Sequence, residues 1–368
     1  MICSQPTLQT SLLLLLTKIE TQSRNGNLVA MIKKNTSSTT GSQHEILMAA
    51  DLSKSYGPRR ALQGLTFSLK AGRILGFLGP NGAGKTTSIR ILTTMLDPDS
   101  GHFLIDGIPS DHPEEIRRRI GVLPESLGFP TQTTGIEYLT FFGQLYGRSR
   151  VQSRELGMAL LEDVGLQKRA SSLIGTYSHG MKQRLGIARA LVNDPIVVFL
   201  DEPTLGLDPR GQQELLDLIQ RIARGRGTGV ILCSHILSEI ENICDDVVIL
   251  NAGQMVARGS VSEVIGRVQR NIMLGNAVRI QVPPVFFDKA KLTLKASLPH
   301  LMKVNPIGEM EGWLRIELVE SSDDTQTHLI NNKILSALIR ARIPVLSFET
   351  EGSRLQDVFL HLTEEAIL

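Results

Sequence analysis

One octapeptide narrows the fold of this chain more than any other feature. Gly79-Pro80-Asn81-Gly82-Ala83-Gly84-Lys85-Thr86 satisfies the pattern G-x-x-x-x-G-K-[ST]. An apolar run, 74–78, leads into it, and a helix-like stretch, 85–96, leads out, with Thr87 in its first turn. A strand, a glycine loop and a helix in that order make a cradle for phosphate. The glycines let backbone N–H groups turn inward, and the helix start adds its partial positive charge. Lys85 is placed to reach the outer phosphates and Thr86 to offer its hydroxyl to Mg²⁺. A turn that matched the pattern by chance would lack the strand and helix around it.

A second apolar run, 196–200, ends at Asp201 and Glu202. Adjacent carboxylates at the carboxyl end of a parallel strand sit at the ligand crevice of such sheets. There Asp201 can hold Mg²⁺ and Glu202 can polarise an attacking water. Alone, Asp-Glu-Pro is an ordinary acidic turn; beside a phosphate loop the chemical reading is the stronger. Strand-like runs, 74–78, 196–200 and 230–233, alternate with helical stretches, 181–192 and 211–224, the pattern of an α/β layer fold with a parallel sheet.

Composition excludes several classes. Lys plus Arg total 39 against 37 for Asp plus Glu, and aromatics make up 4%, so neither a basic footprint nor stacking platforms point to nucleic acid. No purely apolar run, such as 12–16 or 196–200, exceeds five residues, far short of the roughly 20 that a spanning helix needs. Three cysteines without a Cys-x-x-Cys pair fit a reducing compartment.

The chain divides into three stretches. Residues 1–44 carry four basic residues, one acidic residue and a polar run, and read as a disordered leader. Residues 45–268 hold the phosphate-binding domain. Residues 277–368 read as strand 278–282, helix 285–298, strands 301–304 and 313–319, helix 327–342, strand 345–349 and a terminal helix 355–362. The order βαββαβ suggests a small, ferredoxin-like α+β domain.

The motifs between the phosphate loop and residue 235 select among P-loop chemistries. Tyr177-Ser178-His179-Gly180-Met181-Lys182-Gln183-Arg184 resembles the signature motif of ABC ATPases, with Ser178 lying 23 residues before Asp201. The stretch from Asp201 to Pro209 resembles that family's Walker B followed directly by its D-loop, which contains Asp208. His235 lies 33 residues past Glu202 and matches the switch histidine. Tyr56 matches the aromatic residue that stacks on adenine. Each is ordinary in isolation: Tyr56 a packing residue, His235 a polar strand end, Ser178 with Gly180 an N-cap and turn. Together, in order over roughly residues 46–265, they are specific.

The resemblance implies a P-loop NTPase of ABC type: α/β with a mixed sheet core and a helical subdomain at about 126–176, the C-terminal α+β domain being additional. It implies ATP and Mg²⁺ as cofactors. ATP would lie between one chain's loop, residues 79–87, and Ser178 and Gly180 of a second ATP-binding subunit, with Asp208 bracing the opposite site. Glu202, His235 and Lys85 would carry hydrolysis; Thr86, Asp201 and Glu125 would face the metal. Two departures are visible. Glu125 stands where the family has its lid glutamine, and a carboxylate accepts but cannot donate as an amide does. The signature reads Tyr-Ser-His-Gly-Met rather than Leu-Ser-Gly-Gly-Gln, with Ser178 and Gly180 retained. The implied function is ATP-driven export through a separate transmembrane permease, on the cytoplasmic side of the membrane, resembling drug-efflux and gliding-type ATPases. Among Phe129, Phe141, Phe142 and Tyr146, Phe129 is the expected exposed anchor for the permease. A soluble ABC ATPase acting on ribosomes or DNA is the competing expectation, disfavoured by a single cassette and no sustained heptads.

Overall fold

The computed structural model describes residues 44–126, 128–272, 277–297, 302–306, 312–318, 324–350, 355 and 359. The expectation for residues 1–43 lies outside these, as does most of the terminal helix, of which Leu355 and Phe359 are described, both helical.

Fourteen strands among the described residues form two sheets. The larger has ten: β1 (Glu45–Tyr56), β2 (Arg59–Lys70), β3 (Ile74–Leu78), β4 (Ser100–Ile105), β5 (Ile108–Pro109), β6 (Ile120–Leu123), β7 (Val197–Asp201), β8 (Gly229–Cys233), β9 (Asp246–Asn251) and β10 (Gln254–Ser260). Their spatial order is β5-β4-β1-β2-β10-β9-β3-β8-β7-β6. The β9-β3-β8-β7-β6 half is parallel, and β1, β4 and β5 pair antiparallel, so the sheet is mixed.

Why the parallel half reads as unbroken apolar runs is evident from its two faces. In β3, Ile74 and Leu78 join one apolar cluster while Leu75 and Phe77 join another. The same alternation separates Val198 and Leu200 from Val197 and Phe199 in β7, and Val230 and Leu232 from Ile231 and Cys233 in β8. Each strand therefore buries both faces, and no polar alternation survives. Helix α1 (Lys85–Leu92) belongs to the second cluster through Ile89, Ile91 and Leu92.

The helical subdomain contains α3 (Gly135–Leu145) and α4 (Arg150–Asp163), after the short α2 (Pro113–Arg117). Both long helices open on reciprocal capping boxes, Thr134 with Glu137 and Ser149 with Gln152. Next come α5 (His179–Ala190), α6 (Pro209–Arg226), α7 (Leu237–Ile243) and α8 (Val261–Ile272). Asp208 precedes α6, Pro209 opens it, and Gly227 at φ 67° stops it.

The second sheet has the order β12-β13-β11-β14, all antiparallel: β11 (Ala277–Gln281), β12 (Met302–Pro306), β13 (Trp313–Leu318) and β14 (Ser347–Thr350). Helix α9 (Phe287–Ser297) follows β11 and α10 (Asp324–Arg340) follows β13. This is the ferredoxin-like arrangement. Its core joins Val278, Ile280, Leu314 and Ile316 of the sheet to Ala290, Leu294, Ile334 and Leu338 of the helices.

Among the details that differ from the expectations, three have a visible cause. Helix α1 ends at Leu92, not at 96: the Thr93 hydroxyl donates to the Ile89 carbonyl and Thr94 turns to φ 58°. Helix α9 begins two residues late because Pro283 and Pro284 lead into a 3₁₀ turn. Phe129 is only partly exposed, packing edge-on to Tyr138 with ring centroids 5.3 Å apart; Phe141, Leu145 and Tyr146 are the exposed apolar residues nearby.

Candidate functional site

Four parallel strands end at one edge of the sheet, and each delivers a functional residue there. β3 runs into the phosphate loop, β6 toward Glu125, β7 into Asp201 and Glu202, and β8 into Ser234 and His235. This is where an open α/β sheet binds ligands.

The loop's shape depends on two close approaches. A Cβ on Gly79 would stand 2.4 Å from the Leu250 carbonyl oxygen. Gly84, which opens α1, sits at φ 110° with its α-carbon against the Ala61 carbonyl, where a Cβ would come within 2.7 Å. Lys85 is buried, and its ammonium donates to the carbonyls of Gly79 at 2.6 Å and Pro80 at 3.3 Å. Ala83 is buried too, so the loop presents backbone rather than side chains at its centre.

Asp201 and Cys233 are paired in register on β7 and β8, and the Glu202 N–H donates to the Cys233 carbonyl at 3.0 Å. Glu202 precedes Pro203 and adopts φ 48°, the left-handed region that side chains rarely occupy. Its side chain is 14% exposed, and Oε2 accepts from His235 Nδ1 at 2.8 Å; the His235 side chain is 50% exposed. Burial first, then the charges of Glu202 and Glu125, push the Asp201 carboxyl up to about 6, with Lys85 and Arg90 acting in the opposite direction.

That crowding tests whether Mg²⁺ fits. A carboxylate crowded by other carboxylates favours an added cation. Among the described residues no group of three or more His, Cys, Asp or Glu has metal-cage spacing. Mg²⁺ needs no such cage, being held by one or two carboxylates plus substrate phosphates. The donor set of Asp201, Glu125 and the Thr86 hydroxyl fits it.

The residues expected from sequence divide between two cavities. One, of about 490 Å³, is lined by Tyr56, Asn81, Gly82, Gly84, Lys85, Thr86, Thr87, Glu125, Asp201, Glu202 and His235. Gly79, Pro80 and Ala83 belong to the same loop but do not line the cavity, Gly79 and Ala83 being buried. Ser178, Gly180 and Asp208 instead line a second cavity of about 530 Å³. Ser178 is the N-cap of α5, its hydroxyl accepting from the Met181 N–H at 3.2 Å. His179 Nε2 lies 2.9 Å from the Leu205 carbonyl and so ties this turn to the segment after Glu202.

Sequence reading missed Arg59, which lines the first cavity with its guanidinium 3.5 Å from the Gly82 carbonyl. A basic residue three positions past Tyr56, across a tight hairpin, was the available signal. Cys233 and Cys244 are buried free thiols, and burial pushes both up in pKa.

A phosphate loop, paired carboxylates and a histidine at the carboxyl edge of this sheet define a P-loop nucleoside triphosphatase. Comparison with known proteins makes the class narrower. Residues 62–205 match the family described as ABC transporter. The linearmycin resistance ATP-binding protein LnrL of Bacillus subtilis (strain 168) is 31% identical over 319 residues, covering 86% of this chain and 98% of its own. The daunorubicin/doxorubicin resistance ATP-binding protein DrrA of Streptomyces peucetius is 33% identical, covering 85% and 90% respectively. A solved ATP-binding subunit of an ABC transporter superposes with a TM-score of 0.54 at 33% identity, covering 60% of this chain and 92% of that one. The chain belongs to the ATP-binding subunits of the ABC transporters, and is an ABC ATPase. No helix among the described residues is long and apolar enough to cross a membrane.

Proposed function

We propose that this chain powers export through a separate transmembrane permease by closing and reopening a dimer of ATP-binding subunits at the cytoplasmic face of the membrane. The observation that carries this reading is the division of the site. Ser178, Gly180 and Asp208 line a different cavity from the phosphate loop, so a second subunit facing head to tail would supply them. A relative of this fold, the cassette MJ0796, has been solved as a dimer in a post-hydrolysis state bound to ADP and Pi. Outward transport is supported by the two relatives named for drug resistance.

The residues divide the work. Tyr56 stacks on the adenine ring, and the loop from Gly79 to Thr87 wraps the phosphates with its N–H groups. Lys85 turns from its loop carbonyls to the outer phosphate oxygens. Thr86, Asp201 and Glu125 would hold Mg²⁺, which would supply charge neutralisation for the phosphates. Glu202 takes a proton from the attacking water, and His235 holds Glu202 and the γ-phosphate in place. Ser178 and Gly180 of the facing subunit bond the same γ-phosphate. These charge-assisted bonds, about 1.5–3 kcal/mol each, exist only while two chains are closed on ATP. Cleavage removes the shared group and the pair separates.

The experiment is size-exclusion chromatography of Glu202→Gln with ATP and Mg²⁺. A dimer that forms with ATP and is absent with ADP supports the reading. Failure to associate, alone or with the co-expressed permease, overturns it.

A further inference from the structure

The loop that carries His235 is held from behind by a buried carboxyl. Ser234, which has no exposed surface, donates its hydroxyl to Glu239 Oε2 at 2.7 Å and accepts the Ile236 N–H at 3.0 Å. His235 therefore lies between two pinned neighbours. Glu239, in the first turn of α7, is 4% exposed. Its second oxygen, Oε1, is fully buried and has no hydrogen-bond partner among the described residues. A carboxyl buried on a single partner is costly to keep, and side chains of this type are seldom found so deep.

Helix α7 is itself fixed to the strand that bears the phosphate loop. Ile240 has no exposed surface, and a Cβ at Gly76 of β3 would stand 2.7 Å from Ile240 Cγ2. Glu239 thus holds Ser234 from a helix packed against β3, the strand that runs into the phosphate loop. It lines neither cavity described above.

We infer that Glu239 is a positioning residue for ATP hydrolysis. Through Ser234 it sets the backbone on both sides of His235, and so aims the imidazole at Glu202, without touching nucleotide. The His235 side chain is half exposed, with Glu202 2.8 Å from its Nδ1, so the orientation of its loop decides how often that geometry is met. This rests on His235 acting in hydrolysis, as proposed above.

The test compares Glu239→Ala, Glu239→Gln and Ser234→Ala, each in the full chain and in a His235→Ala background, with single-turnover hydrolysis and ATP titration as readouts. Glu239→Ala is expected to lower the rate about tenfold or more with ATP affinity within about twofold of wild type. Glutamine, whose amide oxygen still accepts the Ser234 hydroxyl, recovers most of the rate. Ser234→Ala reports the same defect should Glu239→Ala fold poorly. In the His235→Ala background, removing Glu239 adds less than about a twofold loss, as expected of two residues acting as a unit. A loss that is equal in both backgrounds, a parallel fall in ATP affinity, or glutamine as harmful as alanine would overturn the inference. Should His235→Ala hydrolyse at the wild-type rate, the proposed role of His235 falls, and this inference with it; that outcome is visible separately in the single variant.

Discussion

His235 Nδ1 and Glu202 Oε2 stand 2.8 Å apart across the ends of two paired parallel strands. A carboxylate only accepts, so Nδ1 carries the hydrogen, and Nε2 can bond a phosphate oxygen, itself an acceptor, only when it too carries one, as in the imidazolium. Replacing Glu202 by glutamine preserves this bond through the amide oxygen while removing the base. Glu202→Gln is therefore expected to bind ATP as wild type does and to lose about 10²-fold or more in turnover. Phosphate release measured beside nucleotide titration separates the two effects, and unchanged turnover would remove Glu202 from the chemistry.

Lys85 illustrates how a phosphate loop holds its shape with its own cation. Its ammonium donates to two loop carbonyls, 2.6 and 3.3 Å away. Lys85→Ala loses the contacts to phosphate and leaves those carbonyls without that donor. With charge-assisted bonds at about 1.5–3 kcal/mol each, ATP affinity should fall by at least about tenfold. Titration with a fluorescent ATP analogue measures it.

Much of this site was legible because it is local. The phosphate loop, the carboxylates closing β7 and the N-cap at Ser178 each need only a few consecutive residues, and the sheet is parallel where they sit, so buried runs mark their strands. What escaped depends on contacts distant in sequence. Phe129 looked like an exposed anchor, yet Tyr138 packs against it. Glu239 reads as one more acid on a helix until Ser234 is seen to bond it. Arg59 acquires a role only when the β1–β2 hairpin folds over Gly82. In the C-terminal sheet, by contrast, element order alone foreshadowed the antiparallel arrangement.

The crowding at Asp201 has a consequence for stability. Its carboxyl is raised from 3.8 to about 6, so between those pH values the folded protein without bound cation holds Asp201 protonated where the unfolded chain does not. Between those values the folded state binds more protons than the unfolded, and stability falls as pH rises, the penalty being complete above about 6. Because the group is partly solvent-screened, the effect is about 1 kcal/mol. In EDTA and without nucleotide, Asp201→Asn should be more stable than wild type at neutral pH, with that difference fading toward pH ~4. Urea unfolding at several pH values checks this. A constant difference across the range would contradict it.

The exposed apolar residues of α3 should matter to the permease and not to the fold. Phe141 and Leu145, 56% and 63% exposed, lie four positions apart on one helix face. Phe141→Asp should abolish co-purification of the permease, as expected on placing a charge in an apolar contact. Thermal stability should shift by less than about 0.5 kcal/mol and basal ATPase should persist. Loss of both activities together would place Phe141 in the core instead.

Leu355 links the C-terminal region to α7. It has no exposed surface and joins the apolar cluster that contains Ile240, Ile243, Val261 and Val264. Its N–H donates to Glu241 Oε2 at 3.3 Å, on the same short helix whose first turn carries Glu239. Truncating a buried leucine costs about 2–5 kcal/mol, according to how far the site collapses. Leu355→Ala should lower the unfolding midpoint accordingly. It should also reduce turnover more than ATP affinity, because the platform beneath His235 loses packing while the phosphate loop does not. Differential scanning calorimetry and single-turnover assays read the two effects. An unchanged midpoint would mean that the leucine contributes no buried contact, whereas a lowered midpoint with normal turnover would show that α7 keeps its place without it.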